Sequence, residues 1–261
     1  MLKALNTAAT GMQAQQTNMD TIANNLANVS TTGFKKARAE FEDLMYQTVK
    51  EPGAQSGANS ISPTGVQVGL GVKTAAVQKD FVQGSTKITR APFDIEIQGS
   101  GFFPVQMPSG QIGYTRNGAF KKAPDGRLAD QNGHILQPEI TIPPDATGVE
   151  INPDGSVQII TGVNTVPQNI GQIQLVNFVN PAGLKSVGQN LFVPSNASGL
   201  PQQGTPGQNG LGVVAQGQLE TSNVNVVDEM VNMITAQRAY ETNSKVVQAT
   251  DQMLQYMNNL R

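Results

Sequence analysis

Apolar residues near the start of the chain recur alternately three and four apart: Leu5, Ala8, Met12, Gln15, Met19, Ile22, Leu26 and Val29. That is a heptad seam with one polar member, Gln15, and it predicts a long amphipathic helix. The helix should stop between Asn28 and Gly33, where Asn, Ser and Gly favour caps and turns. A second helical run is expected from Phe34 to Lys50, with Phe41, Leu44 and Met45 on one side. At the other end Asn225 is a good N-cap, with Asp228 three residues on and Glu229 beside the positive helix end. From there Val226, Met230, Met233, Tyr240, Val247 and Leu254 recur at helical spacing, joined by Val246, Met253, Met257 and Leu260, and Gln237, Ser244 and Asp251 interrupt that stripe.

The middle reads as β. The segment FDIEIQ (93–98) alternates, placing Phe93, Ile95 and Ile97 on one face and Asp94, Glu96 and Gln98 on the other, polar face. Asn117-Gly118, Asp125-Gly126, Asn132-Gly133 and Asp154-Gly155 each lie between short apolar runs, a hairpin signature. All 15 prolines fall between Pro52 and Pro206, and no glycine follows Gly217. Since these residues break helices, the two ends are free to be helical and the middle is not.

Composition adds exclusions. Hydrophobic residues make up 38% of the 261 and charged residues 14%, both low, the balance being Asn, Gln, Ser, Thr and Gly. A net charge of −2, with no dense Lys/Arg cluster and no tryptophan, argues against a nucleic-acid partner. The absence of cysteine excludes disulfides, thiolate metal sites and cysteine nucleophiles. The N-terminus lacks the apolar core of a cleaved signal peptide, and no segment is apolar for long enough to insert in a membrane.

Candidate chemistry is sparse. His134 is the only histidine and sits beside a predicted turn, where a solvent-facing loop residue is expected. QGSGFF (98–103) lacks nucleophile-elbow spacing, GLGVK (69–73) is too short for a phosphate loop, and NPDGS (152–156) lacks the later ligands of a calcium loop. Asp94 and Glu96 share a strand face and could serve as acid and base, but a polar outer face explains them more simply. No catalytic, cofactor or metal residues emerge, and no cofactor is expected.

The terminal seams need burial, because left open they would aggregate. They lie at opposite ends of the chain and have coiled-coil periodicity. The expected fold class is therefore α+β: long N- and C-terminal helices packing together as a coiled-coil-like domain, with an inserted antiparallel β-rich domain. The expected divisions are a helical segment 1–48 and an extended region 49–92 that includes the Gly/Ser-rich stretch 52–65. A β-rich domain 93–193, a linker 194–217 and a helical segment 218–261 follow. Leu5, Met12, Gln15, Met19, Ile22, Leu26 and Val29 are expected subunit-interface positions on the first helix. On the last helix they are Val226, Met230, Met233, Ile234, Gln237, Tyr240, Val247, Leu254 and Met257. A buried Gln15 or Gln237 would lower stability while fixing register, and a head-to-tail contact that does not close makes a filament.

ANNLANVSTTGFKK (23–36), following a heptad-bearing helix, resembles the N-terminal signature of the flagellar axial proteins (rod, hook and hook-associated). GQLETSNVNVVDEMVNMITAQRAYETNSKVVQATDQML (217–254) resembles their C-terminal signature, and residues 93–138 resemble the β domain of the larger members. Chain length, and PTGVQVGLGVK (63–73), are most similar to the distal-rod members of the basal-body rod family. Glu96, where a small residue is expected, and Pro104 depart from the pattern.

The resemblance implies a structural, non-enzymatic subunit that self-assembles helically into a stiff hollow drive shaft passing torque from motor to hook. Its implied partners are further copies of itself, other rod proteins proximally, hook protein distally, the surrounding ring proteins and the flagellar export apparatus. Its implied location is the periplasmic rod of the basal body, reached without a cleaved signal peptide. Residues 52–65 would pack between subunits and keep the rod straight. Asn24, Asn25, Asn28, Thr32, Gly33, Phe34 and Lys35 would form a joint: the polar residues end the inner helix and satisfy its carbonyls, and Phe34 and the lysines start the path outward. A sister rod protein, a hook protein, a non-flagellar extracellular fibre, and a cell-wall glycan enzyme using Asp94 and Glu96 remain as alternatives.

Overall fold

Two long helices and a succession of short antiparallel strands make up the computed structural model, which describes residues 2–53, 55–57, 60–61, 64–162 and 166–259. Helix α1 spans Leu2–Ala27 and helix α2 spans Val226–Asn259. The chain divides into two compact units: a helical one (1–26, 37–78 and 225–261) and a β-rich one (27–36 and 79–224). The protein is thus α+β, with its helices at the two ends of the sequence. Part of the 52–65 stretch, including 54, 58–59 and 62–63, lies outside the described residues.

In the helical unit, α2 begins as its sequence dictates. The Asn225 side chain accepts a hydrogen bond from Val227 N at 3.0 Å, and Glu229 N donates to the Asn225 carbonyl at 3.0 Å. A Cβ at Gly11 would lie 3.0 Å from Nδ2 of Asn243, and Asn25 Nδ2 donates to Glu229 Oε2 at 3.3 Å. Advancing along α1 from Gly11 to Asn25 therefore means retreating along α2 from Asn243 to Glu229, so the helices run antiparallel.

The expected helix over 34–50 is absent. Those residues form strands Ala37–Asp43 and Tyr46–Lys50, paired with Val72–Lys79 and Val66–Gly69 respectively. Phe41, Leu44 and Met45 fit helical spacing, but residues 72–79 include Val72, Thr74 and Val77, which favour a pleated ladder. Cross-strand pairing adds the Lys73–Glu42 ion pair at 2.5 Å. Partner strands override a weak local preference.

In the β unit a seven-stranded antiparallel sheet orders its strands Lys121–Lys122, Leu128–Ala129, Ile135–Leu136, Phe103–Gln106, Ile112–Thr115, Leu191–Val193 and Lys185–Gly188. Apolar side chains of its strands, among them Phe103, Val105, Leu128 and Leu136, join Phe120, Ile95, Ile97 and Leu175 in one core. A second cluster of Phe102, Tyr114, Val176, Phe178 and Phe192 packs edge to face, Tyr114 and Phe178 at 4.9 Å between centroids. Asp125-Gly126, Asn132-Gly133 and Asp154-Gly155 each join paired strands.

Asn117-Gly118 does not make a hairpin. Gly118 instead accepts a hydrogen bond from Ile95 N at 3.0 Å, and a Cβ there would overlap the Ile95 carbonyl. Close backbone approach explains that glycine better than a turn. Nor is 194–217 a bare linker, because Gln202–Gly204 pairs with Leu175–Asn177 and Val213–Gln216 pairs with Ile95–Gln98.

Candidate functional site: the joint and its buried charges

Asn25 is buried near the end of α1 and is used for something other than capping. Its Oδ1 accepts from Ala37 N at 2.8 Å and its Nδ2 donates to the Ala37 carbonyl at 2.8 Å. The amide thereby imitates a strand neighbour for the first residue of Ala37–Asp43, while its second N–H reaches Glu229. The expectation that this asparagine satisfies α1's own carbonyls gives way to a clamp on the returning chain. Asn25→Leu removes all three bonds and strands two backbone groups of Ala37, at a cost of about 2–4 kcal/mol. Urea denaturation of the purified variant measures it, and a loss below about 0.5 kcal/mol would mean that water replaces the clamp.

The residues that follow are held in the β unit. Thr31 N donates to the Asn28 carbonyl at 3.1 Å and Phe34 N to the Thr31 carbonyl at 3.2 Å, closing two successive turns. Gly33 adopts φ +69° and donates its N–H to the Glu220 carbonyl at 2.8 Å. The Thr32 carbonyl accepts from Asn190 Nδ2 at 3.0 Å. Phe34 is buried, with the Lys79 ammonium 5.2 Å from its ring centroid and 4.9 Å from that of Phe192.

Beside Gly33, Lys35 is 0% exposed. Its ammonium donates to Glu220 Oε1 at 2.5 Å and to the Val82 carbonyl at 2.8 Å. Glu220, 1% exposed, also takes the Gly84 N–H on Oε1 at 2.8 Å and faces Arg116 Nε through Oε2 at 3.0 Å. That last pair is close enough for an ion pair but not aligned as a hydrogen bond, and both atoms otherwise lack partners. Arg116 spends Nη1 on the carbonyls of Gly99 and Gly101 at 2.8 and 2.7 Å.

Glu96, read from the strand pattern as part of a polar outer face, is 1% exposed. Its Oε1 accepts from Thr86 Oγ1 at 2.8 Å and Gln83 Nε2 at 3.2 Å, while Oε2 has no hydrogen bond. Its charge acts favourably on Arg116. Lys35, Arg116, Glu96 and Glu220 thus form a buried set of two positive and two negative groups. Burial pulls the Lys35 ammonium below its ordinary pKa, with the Glu220 carboxylate opposing. Burial likewise lowers Arg116, against Glu220 and Glu96. The arrangement neutralises itself and presents no free acid, base or nucleophile; chemically it is a lock.

His134 corrects the sequence reading, since it is buried and not solvent-facing. Its Nδ1 lies 2.8 Å from Asp130 Oδ2, and Asp130 Oδ1 accepts the backbone N–H of both Asn132 and His134. The pair staples a five-residue turn. Among the described residues there is no cluster of three or more acidic or histidine side chains that could hold a metal.

On α1, Ile22 is buried while Leu5, Met12, Gln15, Met19 and Leu26 are half-buried; Val29, in the turn beyond, is half-buried too. Smaller and polar side chains, Ala14, Thr21 and Asn25, are among the most buried on that helix. On α2, Met233, Val247 and Leu254 are half-buried, whereas Val226, Met230, Ile234, Gln237 and Tyr240 are exposed. The Met257 side chain lies outside the described residues. Glu229, Ala236 and Thr250, off the expected stripe, are the buried ones. Their spacing by sevens was a usable signal, missed because two of the three are polar.

Three family models match the chain. Residues 5–35 match one described as flagella basal body rod protein, and 96–159 match the flagellar hook protein FlgE/F/G D1 domain. Residues 215–260 match the flagellar basal body rod FlgEFG protein C-terminal model. The four buried charges come from these three segments. Similar proteins include the flagellar basal-body rod protein FlgG of Buchnera aphidicola subsp. Acyrthosiphon pisum, 49% identical over 260 residues and covering 100% of both chains. FlgG of Caulobacter vibrioides is 48% identical and FlgG of Bacillus subtilis 37%, each covering 100% of both chains.

Proposed function

The chain belongs to the FlgG family of flagellar basal-body rod proteins, structural proteins and not enzymes, and from that premise we propose that it is a subunit of the distal rod. Copies stack helically through their terminal helices into a stiff hollow shaft that carries torque from motor to hook and passes exported chains. In this reading α1 and α2 of one copy pair as an antiparallel coiled coil, and the apolar side chains they leave open pack on neighbouring copies. The 27–36 joint hands the chain from α1 to the β unit. The periplasm is its place, reached by flagellar export. Its neighbours are other rod proteins, hook protein, ring proteins and the export apparatus. No helix among the described residues is long and apolar enough to cross a membrane.

One observation carries the reading: α2 exposes Val227 at 67%, Met230 at 51%, Val231 at 55% and Ile234 at 48%, a concentration of apolar surface that an isolated subunit has no use for. Ile234→Glu tests it. The variant should melt within about 1 °C of the wild type, since an exposed surface change is worth within about 0.5 kcal/mol. In cells lacking the native copy it should fail to build rods and abolish swimming. Normal rods carrying Ile234→Glu would sink the interface.

A further inference from the structure

We propose that the turn at Asn209-Gly210 is a site of spontaneous covalent modification, where the Asn209 side chain loses ammonia to its own backbone and reopens with water as aspartate or isoaspartate. The chain has three Asn-Gly dipeptides, Asn117-Gly118, Asn132-Gly133 and Asn209-Gly210. Glycine after asparagine is the permissive neighbour, because no Cβ hinders the approach of its nitrogen to the amide carbon. As dipeptides the three are equal; their surroundings make them unequal.

Asn117 is half-buried and its Oδ1 accepts from Ala119 N at 3.1 Å, while Gly118 is buried and pressed against the Ile95 carbonyl. Neither can move toward the other without disturbing the core. Asn132 is exposed, but Gly133 N, the atom that would attack, donates to the Asp130 carbonyl at 3.1 Å. Asn209 and Gly210 differ on both counts. Both are exposed, and among the described residues neither the Asn209 amide nor the Gly210 N–H has a hydrogen-bond partner. The cause is the turn itself: Leu211 N closes it on the Gln208 carbonyl at 2.9 Å, with Asn209 at φ +52° and Gly210 at φ +76°. In a two-residue turn of that hand the N–H groups of the central residues are left to water. A Cβ at Gly210 would meet nothing within 4 Å, so no packing there resists the swing of the amide.

The step balances with water as the only co-reactant. Hydroxide removes the Gly210 N–H proton, and the nitrogen lone pair forms a bond to Asn209 Cγ. The bond from Cγ to the side-chain nitrogen breaks, and that nitrogen takes a proton from water and leaves as ammonia. Water then opens the imide ring at either of its carbonyls. One cut gives aspartate; the other gives isoaspartate, whose main chain runs through the former side chain. Both products add a negative charge to the 194–210 stretch, which carries none. Isoaspartate also lengthens the main chain by one atom, in a turn that is fixed on its far side. Leu211 is buried in the main core, Gly212 N donates to the Ser100 carbonyl at 2.7 Å, and Gly207 N donates to the Gly212 carbonyl at 3.0 Å. The added atom must therefore break the bond between Leu211 and Gln208 or shift Leu211.

Peptide mapping by mass spectrometry tests this on the native full-length chain held in warm, mildly alkaline buffer. Asn209 should exchange amide for acid at least about fivefold faster than Asn132, the factor that one ordinary hydrogen bond imposes on the opening it opposes, and Asn117 should be slowest. The rate should fall in proportion to hydroxide as the pH is lowered, and isoaspartyl methyltransferase should label the peptide containing residue 209. In guanidinium chloride the three sites should react at comparable rates. No change at Asn209, an equal or faster reaction at Asn132 or Asn117, or the same ranking in guanidinium chloride would each overturn the proposal. The isoaspartate-bearing fraction should also melt about 2–4 °C lower, the loss of roughly one hydrogen bond in a chain of this size. Asn209→Asp carries the charge without the extra atom and should melt within about 1 °C of the wild type. Equal losses in the two would overturn the assignment of the damage to the lengthened backbone.

Discussion

Gly33→Val should lower stability by about 2–6 kcal/mol and prevent rod assembly. Two costs combine. A β-branched residue at φ +69° is strained by about 1–3 kcal/mol. A Cβ at that position would also lie 2.7 Å from both the Arg116 carbonyl carbon and Asn117 N, and 2.9 Å from the Arg116 oxygen. These are backbone atoms and cannot swing aside, so overpacking adds about 1–3 kcal/mol. Any retreat of Arg116 also disturbs its contact with Glu220. The control is Gly110→Ala, at φ +82° with nothing within 4 Å of its Cβ, which should cost only the strain. By thermal melting, Gly33→Val should fall about 10 °C, with Gly33→Ala between it and Gly110→Ala. Equal melting of the two alanine variants would show that the close approach at Gly33 carries no cost.

What was legible in the sequence follows from range. The two helices, the Asn225 cap and three of the four hairpin turns are set by residues within a few positions of one another, and a period or a dipeptide announces them. The 34–50 strands were not legible, because their ladder partners lie at 66–79 and the local spacing of Phe41, Leu44 and Met45 equally fits a helix. Glu96 illustrates the same limit on a strand. Alternation correctly separated it from Ile95 and Ile97, but both faces of this strand are covered, and nothing local to 93–98 reports the second cover from Gln83, Thr86 and Arg116. The joint was visible as an oddity, a dense polar run after an apolar seam. Its lock was not, since Lys35 and Glu220 stand 185 positions apart and their meeting depends on the whole β unit.

The lock is also where one substitution should do most harm. Glu220→Gln keeps a side chain of the same shape and an acceptor for Gly84 N, but leaves Arg116 buried with Glu96 and Lys35 buried with only the charge of Asp80 to favour it. Breaking a buried pair in this way costs about 3–5 kcal/mol, because the surviving charge stays desolvated. Lys35→Met alone leaves the opposite excess, two carboxylates against Arg116. The double variant Lys35→Met/Glu220→Gln restores the balance of Arg116 with Glu96 and should be less destabilised than the sum of the singles by at least about 1 kcal/mol.

The pH dependence follows with a definite sign. Burial sets the folded pKa of Lys35 below its unfolded value of 10.5. Between those two values the unfolded chain binds more protons, so the Lys35 contribution to stability rises with pH. It is complete above 10.5 and lost as pH falls through the folded value. Removing the Glu220 carboxylate, which opposes the depression, lowers that folded value further and widens the window downward. The penalty of Glu220→Gln should therefore be larger at pH 7 than at pH 10, read as the shift in urea midpoint relative to wild type. A penalty that does not change between those pH values would mean that Lys35 keeps its proton on folding with or without Glu220. Burial of the ammonium would then be borne by the Val82 carbonyl and Asp80 instead of by the ion pair.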